Sequence, residues 1–67
     1  MINQPPNKAH FTLLSLARVA ELLDVSISTV RRLIKERALR ARHVGGQLRV
    51  SLADFQAYVE ASIHGPN

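Results

Sequence analysis

Positively charged side chains are concentrated in one stretch of this sequence. Residues 31–49 hold seven of the nine lysines and arginines but only one of the five acids, Glu36, in a chain of net charge +4. Crowding like charges raises the electrostatic free energy of the folded chain, and a polyanionic partner lowers it again. The cluster therefore predicts phosphate binding, and the alternative is a solvated basic face that has no partner.

Other kinds of site are not indicated. The chain has no cysteine, so disulfides and thiolate metal sites are excluded, and the three histidines (His10, His43, His64) lack the spacing of metal ligands. We see no Ser-His-Asp set, carboxylate pair or phosphate loop, and we predict no catalytic residue, no cofactor, no small-molecule ligand and no enzyme activity. Without a signal core or an apolar run of about 18 residues, we expect a cytoplasmic protein with no membrane partner.

Apolar periodicity predicts three helices in a chain whose 67 residues suffice for one domain. Each follows a serine that can accept a hydrogen bond from the first turn, namely Ser15, Ser26 and Ser51. The predicted helices span residues 16–23, 27–37 and 52–63, and a domain at 12–64 is flanked by a flexible arm, 1–11, and a tail, 65–67. Phe11 to Leu14 is expected to be an extended lead-in.

Residues 39–50 predict a β-hairpin, because apolar and basic residues alternate on both sides of Gly45-Gly46. Two glycines suit the two positive φ angles of a type I′ turn. One face of this hairpin is then apolar and packs on the helices, while the other carries arginines. The resulting fold class is mainly α with a small β-hairpin, in the order helix-helix-hairpin-helix.

The first two predicted helices meet the demands of a helix-turn-helix unit. Ala20 is small enough for a close crossing, Asp24 tolerates an unusual φ, and Val25 is expected to plug the angle between the helices as a buried residue. Val30 and Leu33 return apolar contacts to the first helix. On the third helix we expect Leu52, Phe55, Tyr58 (or Val59) and Ser62 on the inner face.

A resemblance to a known family rests on two stretches, LLSLARVAELLDVSISTVRRLIKE and LRARHVGGQLRVSLADFQAYVE. From Leu13 to about Ala61 the sequence resembles the excisionase-type, MerR-like winged helix-turn-helix proteins. The resemblance implies a winged helix-turn-helix fold that binds DNA. This sequence has Asp24 and Arg37 where the family usually has glycine, so we expect either a left-handed Arg37 or a longer second helix.

The implied DNA contacts fall on the second helix and the wing. In such proteins the second helix enters the major groove, and an arginine there can hold guanine with two hydrogen bonds. We assign that role to Arg32 and phosphate contacts to Arg31 and Lys35, while Ile27 either touches a thymine methyl group or packs. The full predicted set is Ser26, Ile27, Ser28, Thr29, Arg31, Arg32 and Lys35 on the helix, with Arg40, Arg42, His43, Gly45, Gly46, Gln47 and Arg49 on the wing. For Arg49, an ion pair with Asp54 is the alternative.

Three roles remain open at this point. The first is an excisionase-like accessory factor of a phage or mobile element, with an integrase or recombinase as partner and self-association on adjacent DNA sites; the short chain, ending soon after the third helix, favours it. The second is a small transcriptional repressor or an autoregulatory antitoxin-type regulator. The third, a protein-interaction module, predicts an apolar or mixed exposed face on the second helix, where the sequence instead has Ser, Thr, Arg and Lys.

Overall fold

A computed structural model of the chain describes residues 12–64. The predicted arm (residues 1–11) and tail (residues 65–67) lie outside the described residues. The helices and strands occur in the order β1 (Leu13–Ser15), α1 (Leu16–Leu23), α2 (Ile27–Lys35), β2 (Arg42–Val44), β3 (Gln47–Ser51) and α3 (Leu52–His64). The predicted fold class, three helices with a small β wing, is confirmed.

All three helices begin at the predicted serines. Ser15 Oγ accepts from Arg18 N–H at 3.0 Å, Ser26 Oγ from Thr29 N–H at 3.1 Å and Ser51 Oγ from Asp54 N–H at 3.0 Å. Each bond satisfies a backbone donor that the helix itself leaves unpaired. The predicted first residues of α1, α2 and α3 are therefore confirmed.

The first two helices end in the same way, on a non-glycine residue in the left-handed region. Asp24 has φ 59° and Arg37 has φ 65°. After α1, Asp24 N–H donates to Glu21 O at 3.2 Å and Val25 N–H to Ala20 O at 3.0 Å. After α2, Arg37 N–H donates to Ile34 O at 3.0 Å and Ala38 N–H to Leu33 O at 2.9 Å. This is the Schellman pattern, which usually places glycine at the left-handed residue.

The end of α2 corrects the predicted helix of residues 27–37. The helix ends at Lys35, Glu36 caps it, and Arg37 is left-handed. Of the two expected alternatives, the longer helix is therefore wrong and the left-handed arginine is confirmed. An arginine at this φ costs about 1 kcal/mol relative to glycine, and the two closing hydrogen bonds offset that cost.

The core lies where α1, α2 and the sheet meet. Its buried residues are Leu16, Val19, Ala20, Val30, Leu39 and Val50. Ala20 and Val30 lie at the predicted helix crossing, so that prediction is confirmed. Val25 is a correction: it was expected to be a buried plug, but it is 39% exposed. Val19 and Val30 fill the crossing themselves, and Val25 lies at its outer edge beside α3.

The wing has the predicted turn but a shorter first strand. Gly45 (φ 60°) and Gly46 (φ 84°) both take positive φ, as a type I′ turn requires. Residues 39–41 are not in the strand, which corrects the predicted wing boundary at 39. Leu39 is only 1% exposed, because its side chain packs in the core. The strand therefore begins only at Arg42.

The hairpin belongs to a three-stranded antiparallel sheet in the order β1-β3-β2. The extended lead-in was expected, and its pairing is new: Leu14 lies opposite Val50, and Ser15 opposite Arg49. Because β1 runs directly into α1, this pairing fixes the wing relative to the start of the first helix. A two-stranded hairpin alone would be only marginally stable.

The last helix covers the core from one side. Phe55 and Tyr58 pack against the buried cluster, as predicted. Ser62 is a correction, because it is exposed and its hydroxyl donates to Tyr58 O at 2.9 Å.

Candidate nucleic-acid interface

The outer surface of α2 is polar and basic. Its inner side is anchored by fully buried Val30, with Leu33 and Ile34 packed against the core. A helix turns by about 100° per residue, so the residues opposite this stripe share one outward face. They are Ser28, Arg31, Arg32 and Lys35, and all four are exposed.

The first turn of α2 is held by two hydroxyl groups. Ser26 Oγ lies 3.0 Å from Thr29 Oγ1, in addition to its bond with Thr29 N–H. Both side chains are thus engaged in closing the N-terminus of the helix. The positive end of the helix dipole and the outward Ser28 hydroxyl lie at the same place, an arrangement that favours an anionic group.

The wing presents its two strand arginines from one face. Arg42 lies directly opposite Arg49 in the β2–β3 register, and like charges in that relation repel. Three contacts offset the repulsion: Arg42 Nη2 lies 3.8 Å from Asp54 Oδ2, Arg49 Nη1 donates to Leu48 O at 3.2 Å, and Arg49 Nη2 donates to Gln47 Oε1. The ion pair with Asp54 considered for Arg49 is therefore made by Arg42.

A concave surface joins α2 to the wing, and we call it the α2–wing groove. It is lined by Ile27 and Arg31 from α2, by wing residues from the two strands and the turn, and by the start of α1. The groove is lined by Ser15, Leu16, Ala17, Ile27, Arg31, His43, Gly46, Gln47, Leu48 and Arg49.

The basic surface continues along the connection between α2 and the wing. Lys35, Arg37 and Arg40 line one shallow depression together with apolar residues of the same segment. All three are exposed. Sequence reasoning placed Lys35 and Arg40 in the site but omitted Arg37. The available sequence signal was its place within the basic stretch of residues 31–49.

Arg32 lies on the other flank of α2, away from the α2–wing groove. It lines a separate groove between α2 and α3 with Thr29 and Tyr58. Its Nη1 lies 3.4 Å from Glu36 Oε1 one turn on, and because both side chains are more than half exposed the pair contributes little to stability. The guanidinium can therefore exchange this partner for another at small cost.

Ten of the fourteen predicted site residues line three separate depressions, and the other four, Ser26, Ser28, Arg42 and Gly45, line none of these three. The α2–wing groove contains Ile27, Arg31, His43, Gly46, Gln47 and Arg49. The depression at the connection between α2 and the wing contains Lys35 and Arg40. Arg32 and Thr29 lie on the α3 side of α2. Ser15 and Ala17 were missed by sequence reasoning, since only the β1–β3 pairing brings the start of α1 to the wing.

Other kinds of site find no support in the described part of the chain. Residues 12–64 contain no group of three or more histidine, cysteine or acidic side chains that could hold a metal ion. None of the helices in this range combines the length and the apolar character that a membrane crossing requires.

A family model described as a helix-turn-helix domain matches residues 13–62. That range covers β1 through nearly all of α3, so the match includes the wing as well as the first two helices. No curated protein and no solved structure matches the chain.

Proposed function

The chain belongs to the helix-turn-helix domain family, a fold associated with DNA binding, and from that premise we propose that it binds double-stranded DNA sequence-specifically. The observation that carries the proposal is the α2–wing groove, where Arg31 and Arg49 face one concave surface from different elements. A duplex is the polyanion whose shape suits such a surface, because its major groove admits an α-helix.

In this proposal α2 enters the major groove. Arg32 contacts guanine O6 and N7, a bidentate contact that discriminates between bases by about 1–3 kcal/mol. Arg31 and Lys35, which lie one turn apart on the same side of α2, contact phosphates, and Ser28 lies on the same outward face of the helix. On binding, Arg32 gives up its weak ion pair with Glu36 and contacts the base instead.

The wing makes the second contact in this proposal. Arg42 and Arg49 approach the backbone or the minor groove, and the turn brings no side chain beyond Cα at Gly45 and Gly46. A Cβ at either glycine would meet nothing within 4 Å, so the bare tip leaves room for another molecule. An arginine in a narrow minor groove reads shape more than sequence.

For biological role we propose an excisionase-like accessory factor, supported by the resemblance of Leu13 to Ala61 to that family. A single module of this kind buries about 600–1,000 Å² on DNA. Because that area is small, useful affinity requires neighbouring copies on adjacent sites, and an integrase or recombinase is the partner such complexes would serve.

Selection of bound duplexes from a random DNA pool tests this proposal. We expect one enriched motif, arranged as direct repeats when the selected fragments hold more than one copy. Inverted repeats would favour a twofold regulator over an accessory factor, and the absence of any enriched motif would contradict sequence-specific binding altogether.

A pair of variants separates base contacts from backbone contacts. Arg32→Ala should relax sequence preference, with a loss of about 1–3 kcal/mol on the selected site and little loss on other duplexes. Arg42→Ala should weaken binding to all sequences alike. Competition binding of each variant with specific and random duplexes measures both effects, and equal loss of preference in the two variants would contradict the assignment.

A further inference from the structure

Ile27 is an apolar side chain placed where the proposed DNA interface is otherwise polar. It is the first residue of α2 and it is 43% exposed. It belongs neither to the buried core nor to the apolar residues packed against that core. Packing in the core therefore does not explain why an isoleucine stands at this position.

The position of Ile27 distinguishes it from other exposed apolar residues. Leu22 is 44% exposed on α1, and isolated cases of this kind need no explanation. Ile27 instead lines the α2–wing groove together with Arg31 and Arg49. An exposed apolar group in the same groove as two cations suits a ligand that presents an apolar group close to its charged ones.

Double-stranded DNA presents one such group in the major groove, the 5-methyl group of thymine. Isoleucine suits this contact because a β-branched side chain has restricted χ1 freedom. Less side-chain entropy is therefore lost when the contact forms than for an unbranched chain.

We infer that Ile27 is a specificity-determining residue that recognises a thymine methyl group at the end of the site read by α2. This inference rests on the proposed DNA-binding function and adds one base preference to it. Burial of a single methyl group corresponds to about a fourfold difference in affinity. Thymine is then preferred over cytosine and over uracil at one position of each site.

Substitution of deoxyuridine for thymine tests the inference, because it removes the methyl group and leaves base pairing unchanged. Each thymine of the selected duplex is replaced in turn, and the dissociation constant of the unmodified protein is measured. We expect about a fourfold weakening at one position. Equal affinity for every substituted duplex would overturn the inference.

Variants of the protein assign the effect to the side chain. Ile27→Ala should bind the thymine and deoxyuridine duplexes equally, whereas Ile27→Val, which keeps the branched methyl groups, should retain a preference for thymine. Leu22→Ala is the matched control and should discriminate as the unmodified protein does. Thermal unfolding of each variant shows that it is folded. Retained discrimination in Ile27→Ala, or lost discrimination in Leu22→Ala, would overturn the assignment to Ile27.

The two levels of the proposal fail in different ways. If the unmodified protein selects no DNA sequence, the proposed function is wrong. If it selects a motif but ignores the thymine methyl group at every position, the DNA-binding function stands and the role of Ile27 is refuted.

Discussion

Raising monovalent salt from about 50 mM to about 200 mM should weaken DNA binding by about 500-fold, which corresponds to five neutralised phosphates and a slope near −4.5 in log K against log salt. The cations of α2, of the segment between α2 and the wing, and of the wing itself supply these contacts, and each releases condensed counterions from the duplex. Fluorescence anisotropy with a labelled duplex, repeated across the salt range, measures the slope. A response close to flat would contradict DNA as the partner.

Single neutralising variants show which cations contribute to that slope. Arg31→Gln should make it shallower by about one, because Arg31 lines the α2–wing groove. Arg18→Gln is the matched control: Arg18 lies on α1 and its Nη1 is 2.9 Å from Glu21 Oε1, so its removal should leave the slope unchanged. Equal slopes for the two variants would show that the groove is not where phosphates bind.

Leu39→Ala should destabilise the domain by about 2–5 kcal/mol. Leu39 is 1% exposed and its backbone N–H donates to Leu33 O at 3.2 Å, so it anchors the chain between α2 and the wing. A domain of this size has a free energy of unfolding of about 3–10 kcal/mol, so a substantial fraction of the variant should be unfolded. DNA affinity should fall with the folded fraction.

Urea denaturation monitored by circular dichroism measures the loss. Leu22→Ala is the control, because Leu22 is 44% exposed and truncation at the surface usually changes stability by less than about 0.5 kcal/mol. A loss of that small size for Leu39→Ala would show that the junction between α2 and the wing is not part of the core.

Local signals in the sequence were sufficient for the helix starts, the turn and the hairpin tip. Serine caps and the Gly45-Gly46 pair act through hydrogen bonds and φ angles within a few residues, so they can be read without the rest of the fold. The end of α2 could not be read in this way. Its signal is usually a glycine, and here Arg37 takes the left-handed conformation that two backbone hydrogen bonds stabilise.

The prediction for residues 39–41 was wrong because alternation of apolar and basic residues suits a strand and an extended connection equally well. Only the burial of Leu39 beneath α2 and the sheet distinguishes them. The prediction that Val25 is buried was wrong for a related reason. The spacing of apolar residues along the chain does not distinguish a residue buried between two helices from one at the edge of their crossing. Tertiary packing decided both positions.

For the candidate site, sequence predicted which side chains are basic and which elements carry them. It could not predict how the cations divide between the two flanks of α2. That division depends on where α3 and the wing lie, so Arg31 lines the α2–wing groove while Arg32, the next residue, lines the groove beside α3. Whether these cations contact DNA as assigned stays a prediction.

The most direct measurement for the central claim, that α2 and the wing contact one duplex together, is a nuclear magnetic resonance titration of the labelled protein with its selected duplex. We expect the backbone amide signals of residues 27–32 and 46–49 to shift together at the same DNA concentration, while those of Gln56, Ala57 and Glu60, which are exposed on α3, keep their positions. Shifts confined to α2, or centred on α3 without the wing, would contradict the claim.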